Sequence, residues 1–350
     1  MKPHKNIHYI DNHLLIPFKN IIMRHLILIS MFITLVSFGQ SSPDWLAAKD
    51  KNPKKIRLII RGDDIGNTHA SNLALEKAFE SGLMTSASVM SSAPWFTETA
   101  ALIRTHPEWS IGLHLVLSSG WDKLNWGPIA AHSEVKSLVA DDGNFYLSYP
   151  DAPLSLFYIE KAPYLYSSDN EMPLKTLERR RRMTASKMPN INEVEIEFRA
   201  QIQRAQALGI RIDYLDCHMG IACNPVLSQV MVKLAQELCV PIPERDWMGT
   251  IDFWEAYDGD VKYNITKLVD KLDALTPGSY RLVLHPTVDN EESRSVDNYF
   301  GVKGAKAGQN DLNMLLSKEL KEAIERNGIE LISVNDLWDY DKCQMKSKEN

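Results

Sequence analysis

Short apolar runs alternate with segments of helix-forming residues along most of the chain. The first run is Leu58, Ile59 and Ile60, which charged residues and then Gly62 bound. A continuous apolar run of this length is typical of a strand that is buried on both faces, as in a parallel sheet. A helix-like segment follows at 67–82, where Thr68 is a suitable N-cap and Gly82 ends the pattern. This order of elements predicts βαβ units.

The same rhythm continues to the C-terminal region and predicts the fold class. Further strands are predicted at 84–90, 110–117, 210–218, 239–242, 280–285 and 329–333. Further helices are predicted at 94–106, 192–208, 226–238, 261–275 and 311–327. About seven strands, each followed by a helix or a loop, indicate an α/β protein with a closed or nearly closed parallel β/α barrel.

One long segment interrupts the rhythm at about residues 119–190. It is rich in aromatic residues and prolines and includes Trp121, Trp126 and Tyr146. We expect an irregular insertion over the C-terminal face of the sheet, in which these three aromatic side chains either contact a substrate or fix the insertion to the barrel. The four arginines at 179–182 are interpreted as a solvated helix face, with contact to an anionic substrate as the alternative.

Composition places the chain among soluble globular proteins. It has 350 residues, of which 44% are hydrophobic and 24% charged, and its net charge is −6. No strongly basic domain stands out, so nucleic acid is not an expected partner. The four cysteines, Cys217, Cys223, Cys239 and Cys343, form no CxxC motif, and their pairing is left open. The oligomeric state is also left open, with a homodimer as one option.

The N-terminal region predicts export. An apolar segment at 26–38 follows Met23 and two basic residues, and it is too short for a comfortable membrane span. Ser37 and Gly39 are small residues at the positions that a signal peptidase requires. We therefore predict a leader and signal peptide over residues 1–39 and one exported domain over residues 40–350, without a stable membrane span. An uncleaved N-terminal anchor is the alternative.

Polar residues stand at the predicted C-terminal strand ends. Asp63 and Asp64 follow the first strand, His114 lies in the third, and His218 and His285 end two later strands. In a parallel β/α barrel all of these ends lie on one face, where active sites are built. A single histidine in an apolar strand is more often a core residue. Three histidines and an aspartate pair at equivalent positions favour a functional site.

Two histidines and one carboxylate form a facial metal site with open positions. Such a site can hold Zn²⁺, Mn²⁺, Co²⁺, Ni²⁺ or Fe²⁺. A second, adjacent carboxylate supplies a base for an activated water molecule, and His285 could protonate a leaving group. This set of groups predicts metal-assisted hydrolysis.

Several motifs resemble those of one family. The stretches are 61–66 (RGDDIG), 82–90 (GLMTSASVM), 112–115 (GLHL), 213–218 (DYLDCH) and 284–286 (LHP). Together they resemble the YdjC-like carbohydrate deacetylases, which include the chitooligosaccharide and hopanoid-linked deacetylases. The resemblance extends from about residue 57 to about residue 340.

The resemblance implies a distorted β/α barrel and a divalent metal ion, with Mg²⁺ or Zn²⁺ as the leading candidates. By the family pattern Asp64, His114 and His218 would hold the metal, and Asp63 would be the base. The reaction would remove an N-acetyl group from an acetamido sugar. Two departures concern the substrate: Met219 and Gly220 follow the second histidine motif, and the 119–190 insertion is longer than usual.

Three other functions compete with an N-deacetylase. An esterase could act on O-acetyl groups of glycans with the same site. A carbohydrate-binding protein could use the scaffold without turnover, although the intact aspartate–histidine set argues against this. A non-haem iron oxygenase shares the two-histidine, one-carboxylate pattern, but its usual sheet is antiparallel, and the βα rhythm disfavours it.

Overall fold

A parallel sheet of seven strands organises the part of the chain that the structure describes. The computed structural model describes residues 54–119, 121, 123–147, 149, 185–243, 249–251, 260–296 and 304–338. These residues belong to one compact unit. The predicted signal peptide and the boundary at residues 39 and 40 lie outside them.

The strands are β1 (Ile56–Ile65), β2 (Ser86–Val89), β3 (Ser110–Leu115), β4 (Tyr214–Cys217), β5 (Gly249–Thr250), β6 (Gly278–Leu284) and β7 (Glu330–Leu331). Their order is β4-β3-β2-β1-β6-β5, and β7 pairs with the first half of β1. All of these pairings are parallel. The sheet curls into part of a barrel, which confirms the predicted α/β class and parallel strands.

The helices are α1 (His69–Glu80), α2 (Phe96–Ile103), α3 (Ile191–Ala207), α4 (Ser228–Leu238), α5 (Val261–Asp273), α6 (Glu291–Ser295), α7 (Gly304–Leu315), α8 (Lys318–Arg326) and α9 (Val334–Leu337). Thr68 caps α1 as predicted, because its side chain accepts a hydrogen bond from the Ser71 amide. No helix in the described ranges combines the length and the apolar character that a membrane span requires.

Two element predictions were wrong. The helix predicted at 311–327 is two helices, since the Ser317 side chain accepts a hydrogen bond from the Leu320 amide and starts a new helix there. The strand predicted at 239–242 is not formed, although the carbonyl of Pro241 accepts a hydrogen bond from Leu215. Pro241 has no N–H group with which to continue such a pairing.

Strand β1 is irregular at the end where the aspartates lie. The strand was predicted to end at these residues, but it continues through Ile65. Its pairing with β2 shifts register between Gly62 and Ile65, and Asp64 has a φ of 62°. A bulge of this kind bends the strand and re-aims side chains. The bulge therefore decides where the two aspartates point.

The described part of the insertion has little regular structure, as predicted. It contains a short 3₁₀ helix at Lys136–Leu138 and a bridge between Val139 and Phe145. The arginine run at 179–182 lies outside the described residues.

Candidate active site

Four strands of the sheet, β1, β3, β4 and β6, bring the predicted polar residues to one end of the sheet. Asp63 and Asp64 lie in the bulge of β1, and His114 is the penultimate residue of β3. His218 follows β4 directly, and His285 follows β6 directly. The structure thus brings together the five residues that the sequence placed at strand ends.

Asp64 lies at the centre of this group. Its Oδ1 is 2.9 Å from Nδ1 of His218 and 3.4 Å from Nε2 of His114, and its Oδ2 is 4.0 Å from Nε2 of His285. The two rings of His114 and His218 are nearly perpendicular, with centroids 5.4 Å apart. Ligand atoms of Asp64, His114 and His218 all lie within 4.8 Å of one another.

These three side chains fit a divalent metal ion. Nε2 of His218 is buried and has no hydrogen-bond partner among the described residues. This nitrogen is therefore available as a metal ligand. Two imidazoles and a carboxylate are donors that Zn²⁺, Mn²⁺, Co²⁺ and Ni²⁺ accept. The donor set therefore suits a divalent ion without selecting one.

Asp63 is bound by an arginine. Both of its carboxylate oxygens accept hydrogen bonds from Arg61, at 2.6 and 2.7 Å. The two residues are two positions apart in β1, so their side chains lie on the same side of the strand. The side chain of Asp63 is 6% exposed and that of Asp64 15% exposed. Asp63 is thus the more deeply buried carboxylate of the pair.

Asp216 in β4 is a site residue that the sequence argument missed. It is fully buried, and its Oδ1 lies 3.0 Å from Nδ1 of His114. Its Oδ2 accepts a hydrogen bond from the Ser88 hydroxyl at 2.8 Å and forms a 3.0 Å ion pair with Arg61. The signal was its position two residues before His218, because alternate strand residues share a face.

Charges around these residues favour a cation in the group. Burial by itself would raise the pKa of Asp64, but the charge of His218 and hydrogen bonds from His114 and His218 outweigh burial and hold the pKa well below its usual value. Burial would lower the pKa of His114, but the carboxylates of Asp216 and Asp63 outweigh it and raise the pKa well above its usual value. The carboxylates thus stabilise positive charge at this position, whether a proton or a metal ion supplies it.

His285 is the most exposed histidine of the group. Its side chain is 29% exposed, and its backbone amide donates a hydrogen bond to Asp311 at 2.8 Å. This bond fixes the segment that follows β6. The imidazole therefore lies at the group's open side, where it can contact a bound molecule.

The three predicted substrate-binding aromatics lie in different environments. Trp121 stacks on His218 with ring centroids 5.3 Å apart and planes 4° apart. Trp126 is buried, and its indole N–H donates to the Ser92 hydroxyl at 3.1 Å. Tyr146 packs edge-on against Tyr149 at 5.9 Å. The position of Trp121 suits substrate contact, and that of Trp126 favours the packing alternative.

Comparisons with known proteins agree with the motifs. The family model described as YdjC-like protein matches residues 57–326. A carbohydrate deacetylase of Brevibacillus brevis is 25% identical over 296 residues, which cover 81% of this chain and all of the relative. A carbohydrate deacetylase of Clostridium beijerinckii is 24% identical over 297 residues, with the same coverage.

A solved structure shares the fold. It is a candidate cellobiose-phosphate cleavage protein from Enterococcus faecalis, with a TM-score of 0.58 and 22% identity. The match covers 80% of this chain and 98% of that one.

Proposed function

The chain belongs to the YdjC-like protein family, and we propose that it is a metal-dependent deacetylase that removes N-acetyl groups from acetamido sugars. Its relatives in Brevibacillus brevis and Clostridium beijerinckii are named carbohydrate deacetylases. The single observation that carries the proposal is the convergence of Asp64, His114 and His218 within 4.8 Å at one end of the sheet. Metal-assisted removal of an acetyl group uses such a cation-binding group together with an acid and a base.

A divalent ion bound by these three residues would polarise the acetyl carbonyl and stabilise the negative charge that develops on its oxygen. In the proposed division of labour, Asp63 accepts a proton from the attacking water. His285, on the open side, donates a proton to the departing amine as the carbon–nitrogen bond breaks. The products are acetate and a free amino sugar. Asp63 gains the proton that water loses, and His285 loses the proton that the amine gains.

Arg61 binds both oxygens of Asp63, and a base must still have a lone pair that can accept a proton. A carboxylate has about four lone-pair positions, and two hydrogen bonds from Arg61 leave others available for a proton. The arginine also fixes the orientation of Asp63. Asp63 is therefore a rigidly held base in this proposal.

Trp121 is the proposed sugar contact. Its ring is partly exposed and stacks on His218, so its position is fixed next to the metal-binding group. An aromatic face offers a large contact area to the apolar face of a sugar ring.

Acetate release from purified protein tests the proposed function. The substrates are N-acetylglucosamine oligomers and O-acetylated glycans, each with added Zn²⁺ or Mg²⁺ and with a chelator. We expect acetate release from the N-acetyl substrates that is sensitive to the chelator and is abolished by His114→Ala. His106 stacks on Trp109, and the control variant His106→Ala should retain this release. Release from O-acetylated glycans alone would replace the proposal with an esterase, and chelator-resistant release would contradict metal dependence.

We also propose that the protein is exported. The predicted signal peptide supports this, and so does Cys239, which is disulfide-bonded in the structure. N-terminal sequencing of the native protein should find a start near Gln40. A cytosolic product that retains residues 23–39 would refute export.

A further inference from the structure

Asp216 is a buried carboxylate to which the proposed chemistry gives no role. Its side chain has no exposed surface, and Arg61, Ser88 and His114 surround it. Burying a carboxylate is costly unless each oxygen has a partner. Ser88 and Arg61 contact Oδ2, whereas His114 lies next to Oδ1.

Donors fix the orientation of one oxygen. Oδ2 of Asp216 accepts from the Ser88 hydroxyl at 2.8 Å and lies 3.0 Å from the guanidinium of Arg61. Because Ser88 gives its hydrogen to Asp216, the hydroxyl of Tyr214, 3.0 Å from Ser88, must donate to Ser88. Tyr214 and Ser88 thus form a chain of donors that ends on Oδ2, and Arg61 contacts the same oxygen directly.

The other oxygen faces an imidazole nitrogen. Oδ1 of Asp216 and Nδ1 of His114 are 3.0 Å apart, and neither atom has a properly angled hydrogen-bond partner among the described residues. Each is therefore the available partner of the other. A carboxylate cannot donate, so Nδ1 must carry the hydrogen.

We propose that Asp216 is a positioning residue that keeps the proton of neutral His114 on Nδ1 and leaves the lone pair of Nε2 available to a metal ion beside Asp64. Nε2 is the nitrogen that lies 3.4 Å from Asp64. A histidine that ligates a metal commonly donates its other N–H to a carboxylate, which sets both the tautomer and the ring orientation. This inference rests on the proposed function only in taking His114 as a metal ligand.

Arg61 completes the arrangement. Ligand atoms of Asp63, His114 and Asp216 also lie within 4.8 Å of one another, as a second metal-binding group would. The guanidinium of Arg61 binds both carboxylates of this group, at 2.6 to 3.0 Å. Arg61 therefore supplies the cation there, and we expect one metal ion per chain.

The variant Asp216→Asn tests the proposal because it keeps the side-chain shape. The donors from Ser88 and Arg61 select the amide oxygen at the Oδ2 position, so the amide NH₂ group faces Nδ1 of His114. Nδ1 must then accept, and the ring proton moves to Nε2, which can no longer bind metal. We expect the Kd for Zn²⁺, measured by competition with a chromogenic chelator, to rise by about 10- to 100-fold.

Asp216→Ala separates positioning from packing. Alanine removes the acceptor but introduces no donor, so His114 can still adopt the required tautomer, and we expect a smaller rise in Kd than for asparagine. If Asp216 acted through packing alone, the Kd for Zn²⁺ would rise more in Asp216→Ala than in Asp216→Asn, since asparagine fills the space and alanine does not. If Asp216→Ala does not fold, Ser88→Ala replaces it. Ser88→Ala retains the carboxylate and should bind Zn²⁺ with a Kd within a few-fold of the parent.

Asp213→Asn is the matched control. Asp213 is a buried aspartate three residues away that accepts from the Ile111 amide and from Arg211. Its replacement should lower the melting temperature and leave the Kd for Zn²⁺ unchanged. A wild-type Kd in Asp216→Asn would overturn the proposal.

A second measurement is independent of metal and of activity. The ¹⁵N shifts of the His114 ring, recorded on the metal-free protein at a pH where the ring is neutral, should show the proton on Nδ1 in the parent and on Nε2 in Asp216→Asn. The same tautomer in both proteins would overturn the role of Asp216. Absence of deacetylase activity in a parent protein that passes this test would contradict the proposed function alone.

Discussion

Asp63 and Asp64 are adjacent in sequence yet have different partners, and the bulge in β1 explains this at the scale of single residues. Successive residues of a regular strand face opposite sides. Here Asp64 has a φ of 62°, which turns its side chain toward His114 and His218 while Asp63 stays with Arg61. The sequence suggested a bend because glycines flank the pair, but it did not reveal which partner each aspartate takes.

This difference gives opposite expectations for the two asparagine variants. Asp63→Asn should retain metal, with a Kd for Zn²⁺ near that of the parent, and lose turnover by about 10²-fold or more, the scale of general base catalysis. Asp64→Asn should lose both metal affinity and turnover, because it removes a ligand carboxylate. Metal affinity and acetate release, measured on the same preparations, decide between these roles, and Asp142→Asn in the exposed turn is the control. If Asp63→Asn lost the metal and Asp64→Asn kept it, the two roles would be exchanged.

Trp121 and Trp126 have different contacts, and we expect different effects when each is replaced. Trp121→Ala should raise KM for the sugar, whereas Trp121→Phe, which can still stack on His218, should raise it less. Trp126→Ala should instead lower the free energy of unfolding by about 3–5 kcal/mol, since it removes a buried ring and its bond to Ser92. Steady-state kinetics and denaturant unfolding measure these effects. A raised KM in a Trp126→Ala protein of unchanged stability would contradict this assignment.

The site residues that could be predicted from the sequence were histidines and aspartates at the ends of predicted strands. His114, His218 and the aspartate pair were found in this way. Asp216 and Arg61 stand two residues before His218 and Asp63, but their roles were not predicted, because these roles depend on contacts across 128 and 155 positions of the chain. Such contacts depend on strand order, which the sequence pattern does not specify.

At the scale of secondary-structure elements, helix α3 connects the insertion to the sheet. Glu197 is fully buried and accepts hydrogen bonds from the amides of Ile129 and Ala130, at 3.0 and 2.9 Å. Gln201, one turn later, exchanges hydrogen bonds with the backbone of Val116 just after β3. One face of the helix thus fixes both the start of the insertion and the end of a site-bearing strand.

Glu197→Gln should therefore destabilise the protein. The amide oxygen can serve one of the two backbone donors, but the NH₂ group then faces the other, and a buried donor without an acceptor costs about 1–3 kcal/mol. Glu195→Gln on the same helix is the control. Glu195 pairs with Arg199 and Lys233, whose side chains are 37% and 53% exposed, so its loss should cost at most about 1 kcal/mol. Denaturant unfolding measures both, and equal costs would contradict the role given to Glu197.

Element types were more predictable than element ends. Apolar periodicity identified β1 and α1 because both signals are local. The break between α7 and α8 was missed because a single capping serine, Ser317, lies within a segment of otherwise continuous helical pattern. The two-residue strand β5 is formed by pairing with β6 and carries no pattern of its own, whereas β7 lies within the strand predicted at 329–333.

At the scale of the whole molecule, the candidate site depends on long-range order. Its residues come from β1, β3, β4 and the segment after β6, so the group exists when these strands are paired. The unfolded chain has no such group. A metal ion that binds Asp64, His114 and His218 would consequently bind the folded state alone and stabilise it by mass action.

Metal removal should therefore lower the melting temperature of the whole described unit. At a free Zn²⁺ concentration 100 times the Kd, binding adds about 2.7 kcal/mol to the free energy of unfolding. For a chain of 350 residues that corresponds to a rise in Tm of about 4 °C. Differential scanning calorimetry with and without a chelator measures the difference.

The variant Asp64→Asn serves as the internal control for this prediction, because it should melt at the same temperature with and without Zn²⁺. The disulfide of Cys239 must stay intact in every sample, since its reduction would lower the Tm independently of metal. A chelator effect of equal size in the parent and in Asp64→Asn would place the stabilising ion elsewhere in the chain. Equal melting temperatures of the parent with and without Zn²⁺, at concentrations that saturate the deacetylase reaction, would show that the ion also binds the unfolded chain. In that case the convergence of four strands would not be needed for metal binding, and the site would have to form in part from residues close together in sequence.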